Sequence, residues 1–475
     1  MPSTAAAVNR GIIAAAVGAA ALVLVLQLIV PPVSGLADNG DYHRVMGDAG
    51  FEHSTDSDAE RYLSFLRTQY RIHPIALFQS GYHTSETVLA LVARFVSPAS
   101  WRGGLFDIRM LAGVHILLFL LCLGVLLAAC RDLAFAAQCI AAALLVFFFT
   151  DIGYAGPFNS FYSQTASLLF LLLLVAVAAT AVRRGRLDGG LCAAYFLSAA
   201  FFVASKPQEA VQAPILALFG LRLSGVEFRG AWKKSAAWMA LALCAFALWY
   251  GRHTPAPLRA AALYQVLFYE TLPHSRAPQS DMAELGLDPA WLEYSGTDAF
   301  QPGTPLLDTA FRDRFLASTG YARIARFYLA HPGRFAERFQ RASPKIWSLR
   351  PSYGNLEASP QFPKRTLTTR FAGWSRLRLK VFGGGPMTAL AVLFAGNAAL
   401  ALATWRHASA RGRLFREGIL AAILMSATAF GVCLLTNAPP DFSRVFYVAE
   451  ALCDLLLVAD AAWLVQTMAR HGTTA

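Results

Sequence analysis

Charge is scarce in this chain: Asp, Glu, Lys and Arg make up 15% of its 475 residues, hydrophobic residues 56%, and the mean hydropathy is +0.45. Soluble domains carry about a quarter charged residues, so a free globular protein is excluded. Ligand patterns are missing as well. The seven cysteines are scattered, and Cys122, Cys192, Cys244 and Cys453 sit inside apolar runs without CxxC spacing, which leaves neither a disulfide framework nor a cysteine zinc site. His73 and His83 share a polar stretch but form no HxxxH or HExxH pattern, so they read as surface histidines. No internal repeat marks the two-fold architecture of many transporters. The net charge of +12 falls in short blocks between apolar runs and not in one patch, which marks membrane orientation and argues against nucleic acid.

What is present is a series of apolar runs, several near the twenty residues that cross a hydrocarbon core of about 30 Å. They cover 11–30, 110–129, 135–150, 165–182, 190–204, 210–223, 236–250, 387–404, 418–435 and 445–468. Gly35, Leu36 and Ala37 would suit a signal peptidase, but the first run exceeds the core of a signal peptide and is expected to remain as an anchor. Arg10, Arg131, Arg183, Arg184, Arg186, Lys233, Lys234, Arg406, Arg411, Arg413, Arg416 and Arg470 all fall on one side of a ten-span arrangement, so that side is cytoplasmic. The expected fold is an all-α membrane protein of about ten transmembrane helices. It divides into an N-terminal module over 1–250 with a first outer loop at 31–109, a mostly helical extracytoplasmic segment over 251–386, and C-terminal helices over 387–475. The short pair flanking "ASKPQEA" reads equally as a re-entrant hairpin.

Titratable groups gather where the chain first leaves the membrane, in "GLADNGDYHRVMGDAGFEH". Asp38 and Asp41 are three apart, as are Asp41 and Arg44, so one helical turn sets all three on a face. A carboxylate beside an Arg stays ionised and can accept a proton from a hydroxyl. Asp38 and Asp41, with Asp151 in the next outer loop and His43 as helper, are also the candidates for a divalent ion, Mg or Mn. The plainer alternative is that Asp38 and Asn39 cap a helix after the Pro/Gly break. Lys206 lies between two apolar runs, with Pro207 placed to open the next helix, and a cation at membrane depth, which costs roughly 3 kcal/mol to insert, is a functional candidate by default. Arg444 in "PPDFSRVFYVAE" is a second cation, with Asp441 as an alternative partner. Asn159, Tyr162, Ser163 and Gln164 offer hydrogen bonds to a sugar or caps to a helix. From Phe311 to Ile346 aromatics alternate with Arg, a pattern expected of amphipathic helices on a membrane surface, forming a cap over the site.

The piece "DNGDYHRVM" resembles the signature "NGDF/Y-x-R-V-M" of a bacterial group of glycan-biosynthesis hexose transferases, within the GT-C membrane glycosyltransferases. "NSFYSQTASLLFLLL" from Asn159, "ASKPQEAVQAP" from Ala204, and "FYLAHPGRF" with "LRPSYGN" resemble the same group in the same order. The resemblance implies a GT-C-like fold and an inverting transferase. Its donor is a hexose on polyprenyl phosphate and its acceptor a glycan or another lipid-linked molecule, in the bacterial inner membrane with the site facing the cell envelope. Asp41 matches the acidic position of the first outer loop and is the implied base. Asp38 is an auxiliary, and Arg44, His43, Lys206, Arg444, Asn159, Tyr162 and Gln164 are implied contacts to phosphate or sugar. Gln164 stands where the group often has an acid, so the second carboxylate is left open, with Asp151 nearest in sequence. The alternatives are a transporter or flippase of lipid-linked glycans, and a glycan polymerase or ligase working through outer-loop Arg and His.

Overall fold

The computed structural model describes residues 4–77, 81–185, 187–225, 231–438 and 442–471; Arg186 of the basic cluster and Asp441 beside Arg444 lie outside them. Among the described residues a helix occupies each of the ten apolar runs. The first seven are α1 (Thr4–Leu28), α2 (Arg109–Ala129), α3 (Phe135–Phe149), α4 (Gln164–Arg184), α5 (Gly189–Val203), α6 (Ala213–Ser224) and α7 (Ala231–Arg252). After a long interval come α8 (Pro386–Ala403), α9 (Ala410–Thr436) and α10 (Tyr447–His471). Pro31 and Pro32 stop α1, and Gly185, at φ +64°, ends α4 in the left-handed conformation a C-terminal glycine supplies.

Among the described residues α1, α2, α4, α8 and α9 are long and apolar enough to cross a membrane. A sixth crossing results if α3 is joined to Ile152–Asn159, from which it is bent by 55°. α6, at 12 residues and about 18 Å, is too short to cross, so α5 and α6 form the short pair that the sequence left open around Lys206. α2 packs on α1 and α4, α4 on α5, α3 on α10, and α9 on α10, closing one bundle. The loop after α1 adds a small antiparallel sheet in the order β1 (Phe51–His53), β2 (Gln69–Ile72), β3 (Phe106–Asp107), with Phe51 opposite Ile72 and Tyr70 opposite Phe106.

The long interval is helical, but its aromatics do not lie on a membrane surface. Phe311, Phe315, Phe327 and Tyr328 turn inward onto Tyr264, Phe268 and Trp291 and make a separate apolar core. The reason is the breadth of the pattern: with Phe and Tyr on the inner face, arginines such as Arg312, Arg314 and Arg323 cover the outside. Arg338 is the exception. It is fully buried, donating from Nη1 to Tyr328 Oη (2.9 Å) and Thr271 Oγ1 (3.1 Å) and from Nη2 to the Asn437 carbonyl (2.9 Å), which ties this segment to the end of α9.

A second buried charge cluster ties the C-terminal helices to the rest. Asp454 Oδ2 accepts from Arg378 Nη1 (2.9 Å), Trp374 Nε1 (2.8 Å) and Tyr154 Oη (2.7 Å), and Arg378 lies over the rings of Trp347 (5.0 Å) and Trp374 (5.9 Å). One turn earlier, Glu450 Oε1 accepts from the Trp347 amide (2.9 Å). Removing one member of a buried pair strands the other charge and costs about 3–5 kcal/mol, whereas replacing both with apolar groups is far less disruptive. Thermal unfolding in detergent should therefore show a clear loss for Asp454→Leu alone and recovery for Asp454→Leu with Arg378→Met; a single variant as stable as the parent contradicts the pairing.

Candidate active site

The first outer loop is built against two other segments. Beyond α1, Gly35 donates to the Asn355 carbonyl (3.0 Å) and Ala37 to the Gly354 carbonyl (2.8 Å), so "LRPSYGN" lies along the start of the loop. Both glycines are required by close approach: a Cβ on Gly35 would come within 2.8 Å of Leu66 and Asn159, and one on Gly354 within 2.0 Å of the Ser64 carbonyl oxygen. Asp38 then turns the chain. Its Oδ1 accepts from the amides of Gly40 (2.7 Å) and Tyr42 (3.1 Å), and Oδ2 faces His53 Nε2 (3.1 Å). The turn leads into the short helix His43–Ala49 and presents Asp41 just before it.

Asp41 stands between two guanidiniums. Arg44 Nη2 reaches its Oδ1 at 2.6 Å, one helical turn away, and Arg444 Nη1 donates to its Oδ2 from the far end of the chain. Each guanidinium also lies over an aromatic ring, Arg44 over Tyr82 (5.6 Å) and Arg444 over Tyr162 (5.1 Å). Burial alone raises the carboxyl pKa, but the two cations outweigh it and hold Asp41 at about 2.

This pair lies on the wall of a narrow cleft enclosing about 540 Å³, counting its open mouth. The cleft brings together Asp41, Arg44, Tyr162, Gln164, Lys206 and Arg444, which the sequence had distributed over four segments. Lys206 is buried in the turn after α5, and its main electrostatic partner is Glu209, three residues on. Tyr162 supports the wall from behind, its hydroxyl 2.9 Å from the Ala37 carbonyl oxygen and accepting from the Asn39 amide at 2.8 Å. The arrangement sets three cations, Arg44, Lys206 and Arg444, against two acidic side chains, Asp41 and Glu209, a suitable setting for a phosphate next to a hydroxyl.

Other predicted residues lie elsewhere. Asp38 is off the cleft wall and braces the turn before the helix without capping it, since the N-cap position is Tyr42. Asn159 is fully buried, and its Nδ2 donates to the carbonyls of Leu28 and Ser34 (2.7 Å each), pinning the end of α1. His43 is largely exposed, with Nδ1 against the Gly40 carbonyl. Asp151 accepts from the amides of Gly153 (2.8 Å) and Ser375 (3.0 Å). With Asp38 and Asp151 bound to backbone and Asp41 bound to arginine, the proposed donors do not fit a divalent ion. Among the described residues, no three His, Cys, Asp or Glu side chains converge as metal ligands.

Sequence reading passed over Glu209, Tyr82, Gln208, Cys433 and Asn437, which also line the cleft. Glu209 had a visible signal, an acid three residues from Lys206 inside an apolar hairpin; Cys433 was hidden within the apolar run of α9.

Comparison with known proteins places the chain in a family. A family model described as the YfdI N-terminal transmembrane domain matches residues 4–473. Among curated proteins none matches. Among solved structures, an oligosaccharyltransferase of Archaeoglobus fulgidus, tethered to an acceptor peptide, aligns at 14% identity and a TM-score of 0.38 over 94% of this chain and 49% of that one. The chain thus spans about half the length of that protein. With the family model matched across nearly its whole length, the chain belongs to the YfdI N-terminal transmembrane domain family.

Proposed function

We propose that this chain is a membrane glycosyltransferase of GT-C type that moves a hexose from a polyprenyl-phosphate donor to an extracytoplasmic glycan or lipid-linked acceptor, with inversion, at the envelope side of a bacterial inner membrane. The observation that carries the reading is Asp41 held between Arg44 and Arg444 in one cleft with Lys206. The motif resemblance of the first outer loop supports the reaction class.

In this reading an acceptor hydroxyl attacks the anomeric carbon of the donor sugar from the face opposite the phosphate. The bond from that carbon to the phosphate oxygen breaks, the hydroxyl proton passes to the Asp41 carboxylate, and polyprenyl phosphate leaves with the bonding electrons. Lys206 and Arg444 stabilise its growing charge, which in a water-poor cleft is worth more than in bulk water. As it stands Asp41 is a weak base, because two arginines hold it at about 2. An arriving phosphate competes for Arg444, loosens the pair and raises the basicity of Asp41 at the moment it is needed. Donor binding and base activation are then one event.

Purified protein in detergent, given radiolabelled polyprenyl-phosphate hexose and membrane extract, is expected to pass label to an acceptor. Asp41→Asn should lower the rate by about 10²–10⁴-fold, and Lys206→Met by about 10²–10³-fold. Label transfer that persists in Asp41→Asn, or a donor that crosses the membrane intact, overturns the proposal. A pH profile adds an independent check. Because the pKa of Asp41 is depressed, its protonation should not limit the rate between pH 7 and 4. In Arg444→Gln one opposing cation is gone while burial remains, so the acid limb should move upward; an unmoved limb contradicts the pairing.

A further inference from the structure

A second, wider cavity lies away from Asp41. It opens sideways between α1 and α3 and encloses about 1420 Å³, counting its open side. Its floor is formed by Ala16, Ala19 and Val23 of α1 and Ala142, Ala143 and Val146 of α3, small side chains that keep the helices from filling the space between them. From Ile12 to Val23 it rises about 17 Å along α1. That length takes one hydrocarbon chain through half a bilayer.

The two ends differ in chemistry. One end carries only apolar groups, whereas the other carries Thr150, Asp151 and Arg376 and lies at the same end of the bundle as the Asp41 cleft. Asp151 is occupied by the amides of Gly153 and Ser375, as described above. The Arg376 guanidinium is exposed and makes no hydrogen bond or ion pair among the described residues, and Arg350 is close enough to feel its charge. With Arg376 and Arg350 set against the one Asp151 carboxylate, this end is net positive.

A smaller pocket begins at the next residue, Ile152. It is lined by Ile152, Gly153 and Arg350 on one side and by Gln164 and Arg444 on the other, and the last two are also walls of the Asp41 cleft. The small pocket shares Gln164 and Arg444 with the cleft, and its Ile152 follows Asp151 of the groove in sequence, so Arg376, Arg350 and Arg444 belong to three neighbouring spaces.

We propose that the groove between α1 and α3 holds the single hydrocarbon chain of a long-chain lipid phosphate, whose anionic head is handed past Arg376 and Arg350 to Arg444. The assignment rests on the glycosyl-transfer reading for the identity of the lipid, a polyprenyl phosphate. It stands on the groove, its charge and the small pocket between it and the cleft for the place. A diacyl phospholipid fits the apolar walls equally well but has no reason to follow these arginines inward.

The full chain in nanodiscs, exposed to a polyprenyl phosphate bearing a diazirine on its hydrocarbon chain, should be labelled on segments 12–23 and 139–150 by mass spectrometry. Excess unlabelled polyprenyl phosphate should suppress that labelling at least fivefold, and the same excess of phosphatidylglycerol should not. Arg376→Gln and the groove-filling Ala142→Trp should each lower it severalfold, with the milder Ala19→Val as a guard against misfolding. Leu117→Trp on the exposed face of α2 should leave it unchanged. Label spread evenly over the exposed helices, or equal competition by phosphatidylglycerol, makes the groove a site of ordinary boundary lipid and overturns the proposal. Labelling as expected in a protein that transfers no sugar leaves the groove standing and removes the transferase reading. Transfer with unchanged donor KM in Ala142→Trp, with label elsewhere, does the reverse.

Discussion

The contact between Asp41 and Arg444 joins residues 403 positions apart, and the site depends on it. Taking a carboxylate and a guanidinium out of water is costly unless each is matched in charge and direction. Here Asp41 offers one oxygen to Arg444 and the other to Arg44, while Tyr162 and Tyr82 receive the flat faces of the two guanidiniums. The first loop after α1, the start of α4, the end of α9 and the head of α10 are thereby fixed around one cleft. Such a pair is a poor source of stability, because its attraction is largely offset by desolvation. Its value is that it can be exchanged: another anion entering the cleft finds cations already in place.

Elsewhere buried charges are paired inside the protein, although Arg378 Nη2, Asp454 Oδ1 and Arg338 Nε find no hydrogen-bond partner among the described residues. Asp454 and Arg378, Glu86 and His115, and Arg338 with its hydroxyl and carbonyl acceptors are hydrogen-bonded inside the packed chain. His115 binds Glu86 Oε1 and the Phe158 carbonyl oxygen at 2.9 Å each, leaving neither ring nitrogen open. None of these groups lines the cavities that hold Asp41 or the groove between α1 and α3. A conduction path for a charged substrate would need such groups exposed along its length, and here they act as fasteners between helices.

Much of this was legible in the sequence because the membrane imposes a coarse grammar. Each of the ten apolar runs holds a helix among the described residues, and Asp41, Lys206 and Arg444, polar residues near the ends of such runs, line one cleft. What was not legible is what depends on partners distant in sequence. Asp38 and Asn159 have the residue types of a sugar site, yet their hydrogen bonds go to backbone groups that only the folded loop brings near. The aromatics from Phe311 to Tyr328 face inward because Trp291, Tyr264 and Phe268, a helix or more away, offer them a core. Arg378 and Asp454 gave no signal at all, since each looks like an ordinary charge until the two helices meet.

The central claim is that Asp41 is the resident anion of a phosphate site and competes with the donor for Arg444. The affinity of the purified chain for polyprenyl phosphate, compared between the parent and Asp41→Asn, tests this without requiring turnover. Removing the competing charge while keeping its shape should tighten binding severalfold; unchanged or weaker binding would contradict the account.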